Sequence, residues 1–250
     1  EDFNAHIVAA ADSFVSACSK RRLICLPLDE RFDPPMGIFS HGHVQTGDKM
    51  SVPKVFWQAI ERSKAEVPWL MRVSRIDDDG ENESGERVVV RDTKRQKERA
   101  PGQLDRVVGG PLDFRAPSNY IFLPWWMMRA MGLQPRDVVD VQLCAADSVP
   151  AGSAAQLRPH SSSFSKDIAN PQAVLETELK HYSSLTRGTT IAFDYNEKRY
   201  WFDVVELRSA PRGEKSPMIK VQDCDIATDF LPSKEEVEKR KQQKQQQSKV

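Results

Sequence analysis

The chain has 250 residues, and its 36 Lys or Arg residues balance its 36 Asp or Glu residues, so the formal net charge is zero. A balanced charge removes the general attraction by which a basic protein binds nucleic acid or an anionic membrane. The length predicts one or two domains, and no apolar stretch approaches the roughly 18 residues of a membrane span. We therefore expect no nucleic-acid partner and no membrane insertion.

The four cysteines are widely spaced and contain no Cys-x-x-Cys pair. They are Cys18, Cys25, Cys144 and Cys224. This spacing is typical of reduced thiols in the cytosol or nucleus rather than of a disulfide framework or a zinc site. The cysteines therefore predict a protein of the cytoplasm or the nucleus.

Short strands and two helices are predicted in the first 76 residues. A helix is expected near residues 7–14, and strands are expected at 23–28, 49–53 and 69–76, each a short apolar run. Between the last two strands, apolar residues recur at helical spacing over residues 54–63. This half of the chain therefore combines a sheet with a covering helix.

A charged insertion follows the strand at 69–76. Residues 77–86 contain six acids and no base, whereas residues 87–99 contain six bases and two acids. Neither half has the apolar content to pack. We expect a solvated loop over residues 77–105.

A strand that leads directly into a helix is predicted around Pro124. Apolar residues run up to this proline, whose fixed φ and missing N–H suit the start of a helix. Upstream, residues 107–114 predict a Gly-rich bend between two short strands. Downstream, alternation over residues 138–144 predicts a half-buried strand.

The second half of the chain predicts a smaller unit. Residues 148–164 are rich in Ser, Pro and Ala, which favours a junction between subdomains. Residues 189–195 and 199–205 alternate as the two strands of a hairpin. A last strand is predicted over 217–226, and residues 233–250 predict a solvated tail or a frayed helix.

One helix of the second half has a clear start. Asn170 can cap free N–H groups, and Pro171 suits the first helical position. An apolar stripe then runs from Leu175 to Tyr182, and Gly188 is predicted to follow the end of the helix.

The sequence contains no recognisable catalytic arrangement. It has no phosphate-binding loop, dinucleotide glycine pattern, Gly-x-Ser-x-Gly elbow or Asp-Thr-Gly triplet. His41 and His43 are spaced like metal ligands, but no acid or thiol is near, so an exposed turn is expected. We predict no catalytic residue, no metal ligand and no cofactor.

Two tryptophans are the candidate contact residues. Trp201 alternates with Tyr200 and Phe202, so if those two fill the core, Trp201 faces outward. Trp125 is in a similar position, because its neighbour Trp126 lies on the apolar face of the predicted helix. Exposed tryptophan is enriched at binding hot spots.

Several ordered motifs resemble one family. These are Leu123-Pro-x-Trp-Met-Met128, Asp167-Ile-x-Asn-Pro-x-Ala-Val-Leu-Glu176, Leu185-Thr-x-Gly188, Tyr195-Asn-Glu-Lys198, Asp223-Cys-Asp225 and Asp229-Phe230. They resemble the N-terminal domain of the ubiquitin fusion degradation protein 1 family. A weaker match extends the resemblance over most of residues 14–232, and the charged insertion is the main departure.

The resemblance implies a mixed β and α+β fold. It places a double-psi β-barrel subdomain at 14–148, a smaller α+β subdomain at 149–232 and a charged, Gln-rich tail at 233–250. The two subdomains together are similar to the N-domain of the hexameric AAA segregase that the family serves. We expect the chain to be a fragment of a family member, because the family's partner-binding segments lie further downstream.

The resemblance also implies a function without catalysis. Family members bind ubiquitin and polyubiquitin chains. With nuclear protein localisation protein 4, they deliver ubiquitylated substrates to the valosin-containing-protein AAA segregase for unfolding and proteasomal degradation. The family motifs assign no contact residue, so Trp125 and Trp201 remain the candidate ubiquitin contacts.

Two alternatives remain open at this point. Double-psi barrels also host enzymes such as acid proteases, which need a pair of acids at a barrel turn. An AAA-type N-domain that binds a different adaptor would share the fold but not the ubiquitin partner.

Overall fold

The computed structural model describes residues 19–29, 43–76 and 100–247. It has a mixed β and α+β fold, as predicted, and divides into two compact units, Glu1–Val149 and Pro150–Val250. Among the described residues, no helix is long and apolar enough to cross a bilayer. The predicted N-terminal helix, His41 and the charged residues 77–99 lie outside the described residues. His43, which was expected in an exposed turn, is instead half-buried beside Thr46.

Unit 1 is built on a seven-stranded sheet with the strand order β4-β3-β7-β1-β6-β2-β5. Its strands are β1 (Lys20–Pro27), β2 (Met50–Pro53), β3 (Met71–Arg75), β4 (Arg106–Gly109), β5 (Pro111–Ala116), β6 (Tyr120–Leu123) and β7 (Val138–Leu143). The sheet is mixed, since β1 pairs in parallel with β6 and antiparallel with β7. The predicted strands of this unit are confirmed.

Prolines precede two helices in the described part of unit 1, α1 (Lys54–Ser63) and α2 (Trp125–Met131). Pro53 and Pro124 have extended backbone angles and lie between a strand and the helix that follows it, as predicted. Helix α2 ends at Gly132, whose φ of 65° lies in the left-handed region that glycine adopts without strain. The strand–helix corner around Pro124 is therefore specified locally.

A large part of the core of unit 1 lies on one face of this sheet, and β2 is buried at all four of its positions. Fully buried side chains on its strands include Leu23, Cys25, Val73, Val107, Ile121, Leu123, Val139 and Val141. Helix α2 adds Trp126, whose indole N–H donates to the Gly47 carbonyl at 2.8 Å. This bond satisfies the one polar atom of an otherwise apolar side chain in the core.

Unit 2 contains a larger and a smaller sheet. The larger sheet has the path β10-β11-β8-β14, with β12 paired to β11, and the smaller sheet joins β13 to β9. The strands are β8 (Gly152–Pro159), β9 (Ser184–Thr186), β10 (Thr190–Tyr195), β11 (Lys198–Ser209), β12 (Glu214–Lys215), β13 (Met218–Lys220) and β14 (Ala227–Phe230). The helices are α3 (Ser163–Asp167), α4 (Pro171–Glu178) and α5 (Lys234–Gln247).

Two local predictions in unit 2 are confirmed. The side chain of Asn170 accepts from the Ala173 N–H at 3.2 Å, and Pro171 opens α4. The hairpin β10–β11 turns at Asn196 and Glu197, whose φ angles of 49° and 61° match the two positive angles of a type I′ turn.

The prediction that Gly188 follows the end of the helix is wrong. Helix α4 continues into a 3-10 turn, Leu179–His181, and Gly188 lies in the turn between β9 and β10 with a φ of 87°. Its N–H donates to Val204 on β11 at 2.8 Å. The glycine therefore serves a strand connection that sequence spacing did not reveal.

Two other predictions for unit 2 need correction. The predicted junction lies at the start of the segment 148–164, between Val149 and Pro150, but most of the segment is β8, which pairs with β11 on one side and β14 on the other. The strand predicted over 217–226 is shorter, since β13 ends at Lys220 and the chain turns at Asp223 with a φ of 58° before β14 begins at Ala227. In both cases the neighbouring strands decide the structure, which β-propensity alone does not encode.

The tail forms helix α5, and a helix was one of the two outcomes predicted for it. Ser233 and Glu236 form a capping box, in which the Glu236 N–H donates to Ser233 Oγ at 3.2 Å and the Ser233 N–H donates to the Glu236 carboxylate at 3.0 Å. The reciprocal pair satisfies two free donors at the start of the helix.

Aromatic rings form the centre of unit 2. Phe164, on the five-residue helix α3, has its ring centroid 4.6–6.0 Å from the rings of Phe193, Tyr200, Phe202 and Phe230. Phe164 is 2% exposed and Phe202 is fully buried. One short helix thus closes an aromatic core assembled from three strands.

A buried tyrosine covers the edge of the larger sheet. The Tyr182 hydroxyl donates to the Ala192 carbonyl at 2.8 Å and accepts from the Ala192 N–H at 3.3 Å. Ala192 belongs to β10, the edge strand, and Tyr182 is 1% exposed. The hydroxyl therefore satisfies two backbone groups that neither water nor another strand reaches.

We expect Tyr182→Phe to lower the free energy of unfolding by about 2 kcal/mol, because it leaves a buried N–H and a buried C=O without a partner. Urea unfolding followed by circular dichroism measures the change. Tyr195→Phe is the matched control, since the Tyr195 hydroxyl makes no hydrogen bond within the described part of the chain. Equal losses in the two variants would contradict the prediction.

Candidate functional site

Trp125 is an exposed aromatic residue at the start of α2. Its side chain is 43% exposed, whereas that of the adjacent Trp126 is 5% exposed. The backbone N–H of Trp125 donates to Gln45 Oε1 at 3.0 Å, and the same amide donates through Nε2 to the Leu28 carbonyl at 2.6 Å. Gln45 therefore holds the helix start, and the indole of Trp125 remains available for contact.

Trp201 lies on β11 and is half-buried. Its neighbours Tyr200 and Phe202 are 6% and 0% exposed, so the strand directs them and Trp201 to opposite faces. Across the sheet Trp201 pairs with Ala192, and its carbonyl accepts from the His160 N–H at 2.9 Å. Trp201 thus presents only part of its ring, and Trp125 is the more open of the two.

A polar cluster lies two residues beyond Trp201 on the same strand face. Asp203 Oδ1 lies 2.8 Å from His160 Nε2 and accepts from the Thr190 hydroxyl at 2.9 Å, while Oδ2 lies 2.7 Å from Lys234 Nζ. Burial raises the pKa of the Asp203 carboxyl, but the hydrogen bonds from Lys234, His160 and Thr190 outweigh it, so the pKa lies below its ordinary value. The cluster anchors the first turn of α5 to the sheet.

Two acidic clusters of the described residues, around Asp203 and Asp113, lack the arrangement of a catalytic site. The ring of His160 contacts Asp203 and Lys234, and no hydroxyl or thiol nucleophile bonds to it in the part of the chain described. In unit 1, the buried Asp113 accepts from Ser51 Oγ at 2.5 Å and pairs with Arg115 at 2.7 Å. An acid protease requires two facing carboxyl groups instead.

A third surface, in unit 1, brings together residues that are distant in sequence. Trp57 on α1, Trp69 before β3 and Phe114 on β5 have ring centroids 5.4–6.3 Å apart and are all half-buried. Beside Trp69, Val67 is 69% exposed. We call these four residues the aromatic surface.

Sequence reasoning did not find the aromatic surface. The predicted apolar face of α1 includes Phe56 and Ile60, which are buried, and Trp57 lies off that face. Trp69 was predicted to be in a strand, yet β3 begins at Met71. The only sequence signal was the presence of Trp57 outside the helical stripe, because the tertiary structure alone brings the three elements together.

Comparison with known families agrees with the two units. Residues 33–147 match the family model described as "Ubiquitin fusion degradation protein UFD1, N-terminal subdomain 1", and residues 151–233 match the model of N-terminal subdomain 2. The chain belongs to the ubiquitin fusion degradation protein 1 family. The resemblance read from its motifs is thereby confirmed.

The chain matches individual members of the family over part of their length. The Schizosaccharomyces pombe "Ubiquitin fusion degradation protein 1" is 28% identical over 204 residues, which are 80% of this chain and 50% of that protein. The Saccharomyces cerevisiae protein of the same name is 36% identical over 124 residues, 50% of this chain and 32% of that protein. The human "Ubiquitin recognition factor in ER-associated degradation protein 1" is 33% identical over 121 residues, 48% of this chain and 36% of that protein.

This member of the family thus spans about a third to a half of the length of those relatives. The aromatic surface and Trp125 lie in the part that matches subdomain 1, and Trp201 lies in the part that matches subdomain 2. Each matched subdomain therefore carries at least one surface aromatic residue.

Proposed function

We propose that this chain is a non-catalytic ubiquitin-binding adaptor in ubiquitin-dependent protein degradation, including degradation of proteins from the endoplasmic reticulum. The observation that carries the proposal is the consecutive match to both N-terminal subdomains of the family, together with the name of the human relative, a ubiquitin recognition factor. The clusters around Asp203 and Asp113 contain no catalytic arrangement, which agrees with a binding role.

The proposed mechanism is weak apolar contact with ubiquitin, repeated along a ubiquitin chain. Trp125 in unit 1 and Trp201 in unit 2 are the proposed contacts, because both present part of an indole ring at the surface. Two contacts on separate units allow two ubiquitins of one chain to bind together. The second then binds at a high effective concentration, so polyubiquitin is selected over single ubiquitin.

The wider role follows from the family. We propose that unit 1 is the family's double-psi β-barrel and that the protein works in the cytoplasm and nucleus. Its partners would be nuclear protein localisation protein 4 and an AAA segregase, to which it passes ubiquitylated substrates. These partners would bind through segments downstream of the two subdomains, because family members hold their partner-binding motifs there.

A titration of isotope-labelled ubiquitin with this chain tests the proposal. We expect shifts of ubiquitin resonances centred on its apolar surface, and a lysine-linked tetramer that binds about 100-fold more tightly than the monomer, as linked sites do. Free ubiquitin at the same total concentration is the control for the tetramer. The Trp201→Ala and Trp125→Ala variants should each bind the ubiquitin chain more weakly, because each loses one proposed contact.

The outcomes separate the function from its mechanism. Equal affinities for tetramer and monomer would contradict avidity but leave ubiquitin binding intact. Unchanged chain affinity in Trp201→Ala would remove Trp201 as a contact. No shift of any ubiquitin resonance at high concentration would overturn the proposal and favour an AAA-type N-domain that binds a different adaptor.

A further inference from the structure

We infer that strand β14, at one edge of the larger sheet of unit 2, binds an extended protein segment that pairs with it as a further antiparallel strand. The segment alternates β-branched apolar residues with basic residues. This partner goes beyond the proposed function, because the pairing does not involve ubiquitin. The inference depends on which backbone groups of Ala227–Phe230 already have a partner, and on the charges beside them.

One side of β14 is paired and the other side is open. β14 runs parallel to β8, which is its one neighbour in the described part of the sheet. The Leu231 N–H donates to the Leu157 carbonyl at 2.9 Å, so Leu231 and Asp229 direct their backbone groups towards β8. Because successive residues of a strand direct these groups to opposite sides, those of Thr228 and Phe230 point away from β8.

The outward backbone groups of β14 have no partner within the residues described. The N–H and C=O groups of Thr228 and Phe230 make no hydrogen bond there, and the Thr228 hydroxyl oxygen is buried without a hydrogen-bond partner. An unpaired sheet edge of this kind is a template for a further strand. The next outward residue, Pro232, has no N–H, so the donors of this open edge are those of Thr228 and Phe230.

The opposite edge of the same sheet is closed. There the Tyr182 hydroxyl donates to the Ala192 carbonyl of β10 and accepts from the Ala192 N–H. At β14, in contrast, no described side chain bonds to the outward backbone groups. The sheet can therefore accept a further strand at β14, whereas the Tyr182 hydroxyl prevents such pairing at Ala192.

The inner face of β14 requires apolar side chains on the added strand. The ring centroid of Phe230 lies 5.3 Å from that of Phe164, in the aromatic core of unit 2. Thr228 lies on the same face, because it is separated from Phe230 by one residue. Both side chains are half-buried, so a β-branched apolar side chain opposite each of them would extend the core.

The other face of β14 and the turn before it are acidic. Asp223, Asp225 and Asp229 are exposed, and residues 221–233 include no Lys or Arg. The Asp229 carboxylate accepts from Gln156 Nε2 at 3.0 Å, which holds it on this face of the sheet. Basic side chains on the same face of the added strand would lie opposite these acids, which favours binding and sets the alternation of apolar and basic residues.

Antiparallel pairing decides which N–H groups of the added strand bond to β14. Antiparallel pairs are slightly more stable than parallel pairs, so we expect this orientation. A residue directly opposite Thr228 or Phe230 then exchanges both backbone bonds with it and has its side chain on the same face. In a peptide Lys-Val-Lys-Val-Lys with blocked ends, the valines therefore provide the bonding N–H groups, and the lysine N–H groups point away.

Amide hydrogen exchange of the full chain, measured by NMR with and without this peptide, tests the inference. In the free chain, we expect the N–H groups of Thr228 and Phe230 to exchange faster than that of Asp229, which faces β8. A large excess of the peptide should slow the exchange at Thr228 and Phe230 about tenfold or more. The Ala192 N–H is the internal control, since it is already bonded to Tyr182 and should not change.

Two N-methylated forms of the peptide are the matched controls, because they keep the charge and the side chains. Methylation of both valine nitrogens removes the bonding N–H groups and should weaken binding about tenfold or more. Methylation of the lysine backbone nitrogens alters only groups that point away from β14, so it should leave binding nearly unchanged.

Each result supports or overturns the added strand. Slower exchange at Thr228 and Phe230, with binding weakened by methylation of the valines and not of the lysines, supports the inference. Unchanged exchange at both residues in excess peptide overturns it. Equal binding of the three peptides also overturns it, because charge attraction without strand pairing would then explain the binding. The experiment contains no ubiquitin, so neither result changes the standing of the proposed function.

Discussion

Phe164→Ala should lower the free energy of unfolding of unit 2 by about 3–5 kcal/mol, the usual loss for a buried phenylalanine. The Phe164 ring contacts four other aromatic rings and is 2% exposed. Its removal would leave a cavity bounded by strands that pair with one another. The surrounding rings cannot close this cavity without breaking those pairings, so both the transfer energy and the packing energy are lost.

The measurement is urea unfolding of the full chain, followed by the NMR signal of the Trp201 indole N–H. That tryptophan is the single one in the sequence of unit 2, so it reports unit 2 while the other four report unit 1. Phe164→Leu is the control, since it keeps most of the volume and should cost clearly less than the alanine variant. A loss below about 1 kcal/mol in Phe164→Ala would contradict the prediction.

Gly109→Ala should destabilise unit 1 by about 3 kcal/mol or more, at the upper end of the cost of overpacking. An added Cβ at this position would lie 2.3 Å from the Asp48 carbonyl oxygen and 2.6 Å from Met127 Cε. The methionine end can move, but the carbonyl oxygen belongs to the backbone that leads into β2. Relief of the contact therefore requires a shift of one strand against another.

The control is Gly102→Ala in the same unit. An added Cβ there meets no atom within 4 Å, and the expected cost of about 1–2 kcal/mol comes only from the φ of 89°. Thermal unfolding followed by the indole signals of the unit 1 tryptophans compares the two variants. If Gly109→Ala costs no more than Gly102→Ala, the close approach to Asp48 is not what requires glycine at position 109.

Elements with a local cause were predictable from sequence. Helix α1 and helix α2 follow Pro53 and Pro124, and α4 follows Asn170 and Pro171, because capping and the fixed φ of proline act within a few residues. The hairpin β10–β11 was predictable for the same reason: its two-residue turn lies between two clearly alternating strands.

Elements whose cause is non-local were not predictable. Strand β8 is a run of small and polar residues, and it is a strand because β11 and β14 flank it. Gly188 was placed at the end of a helix, although its N–H bonds to Val204 on another strand. The residues 217–226 read as one strand, yet the chain turns at Asp223 and continues in a different sheet.

The candidate site divides in the same way. Period-two alternation alone indicates that Trp201 lies on the face opposite Phe202, and the sequence motifs alone identify the family. The exposure of Trp125 and the meeting of Trp57, Trp69 and Phe114 depend on how separate elements pack, and no window of sequence contains those contacts. Sequence thus determined the family, the helix starts and the strand faces, because these follow from short-range sterics and hydrogen bonds. Tertiary structure decided the strand order and which aromatic side chains lie at the surface, because these follow from long-range packing.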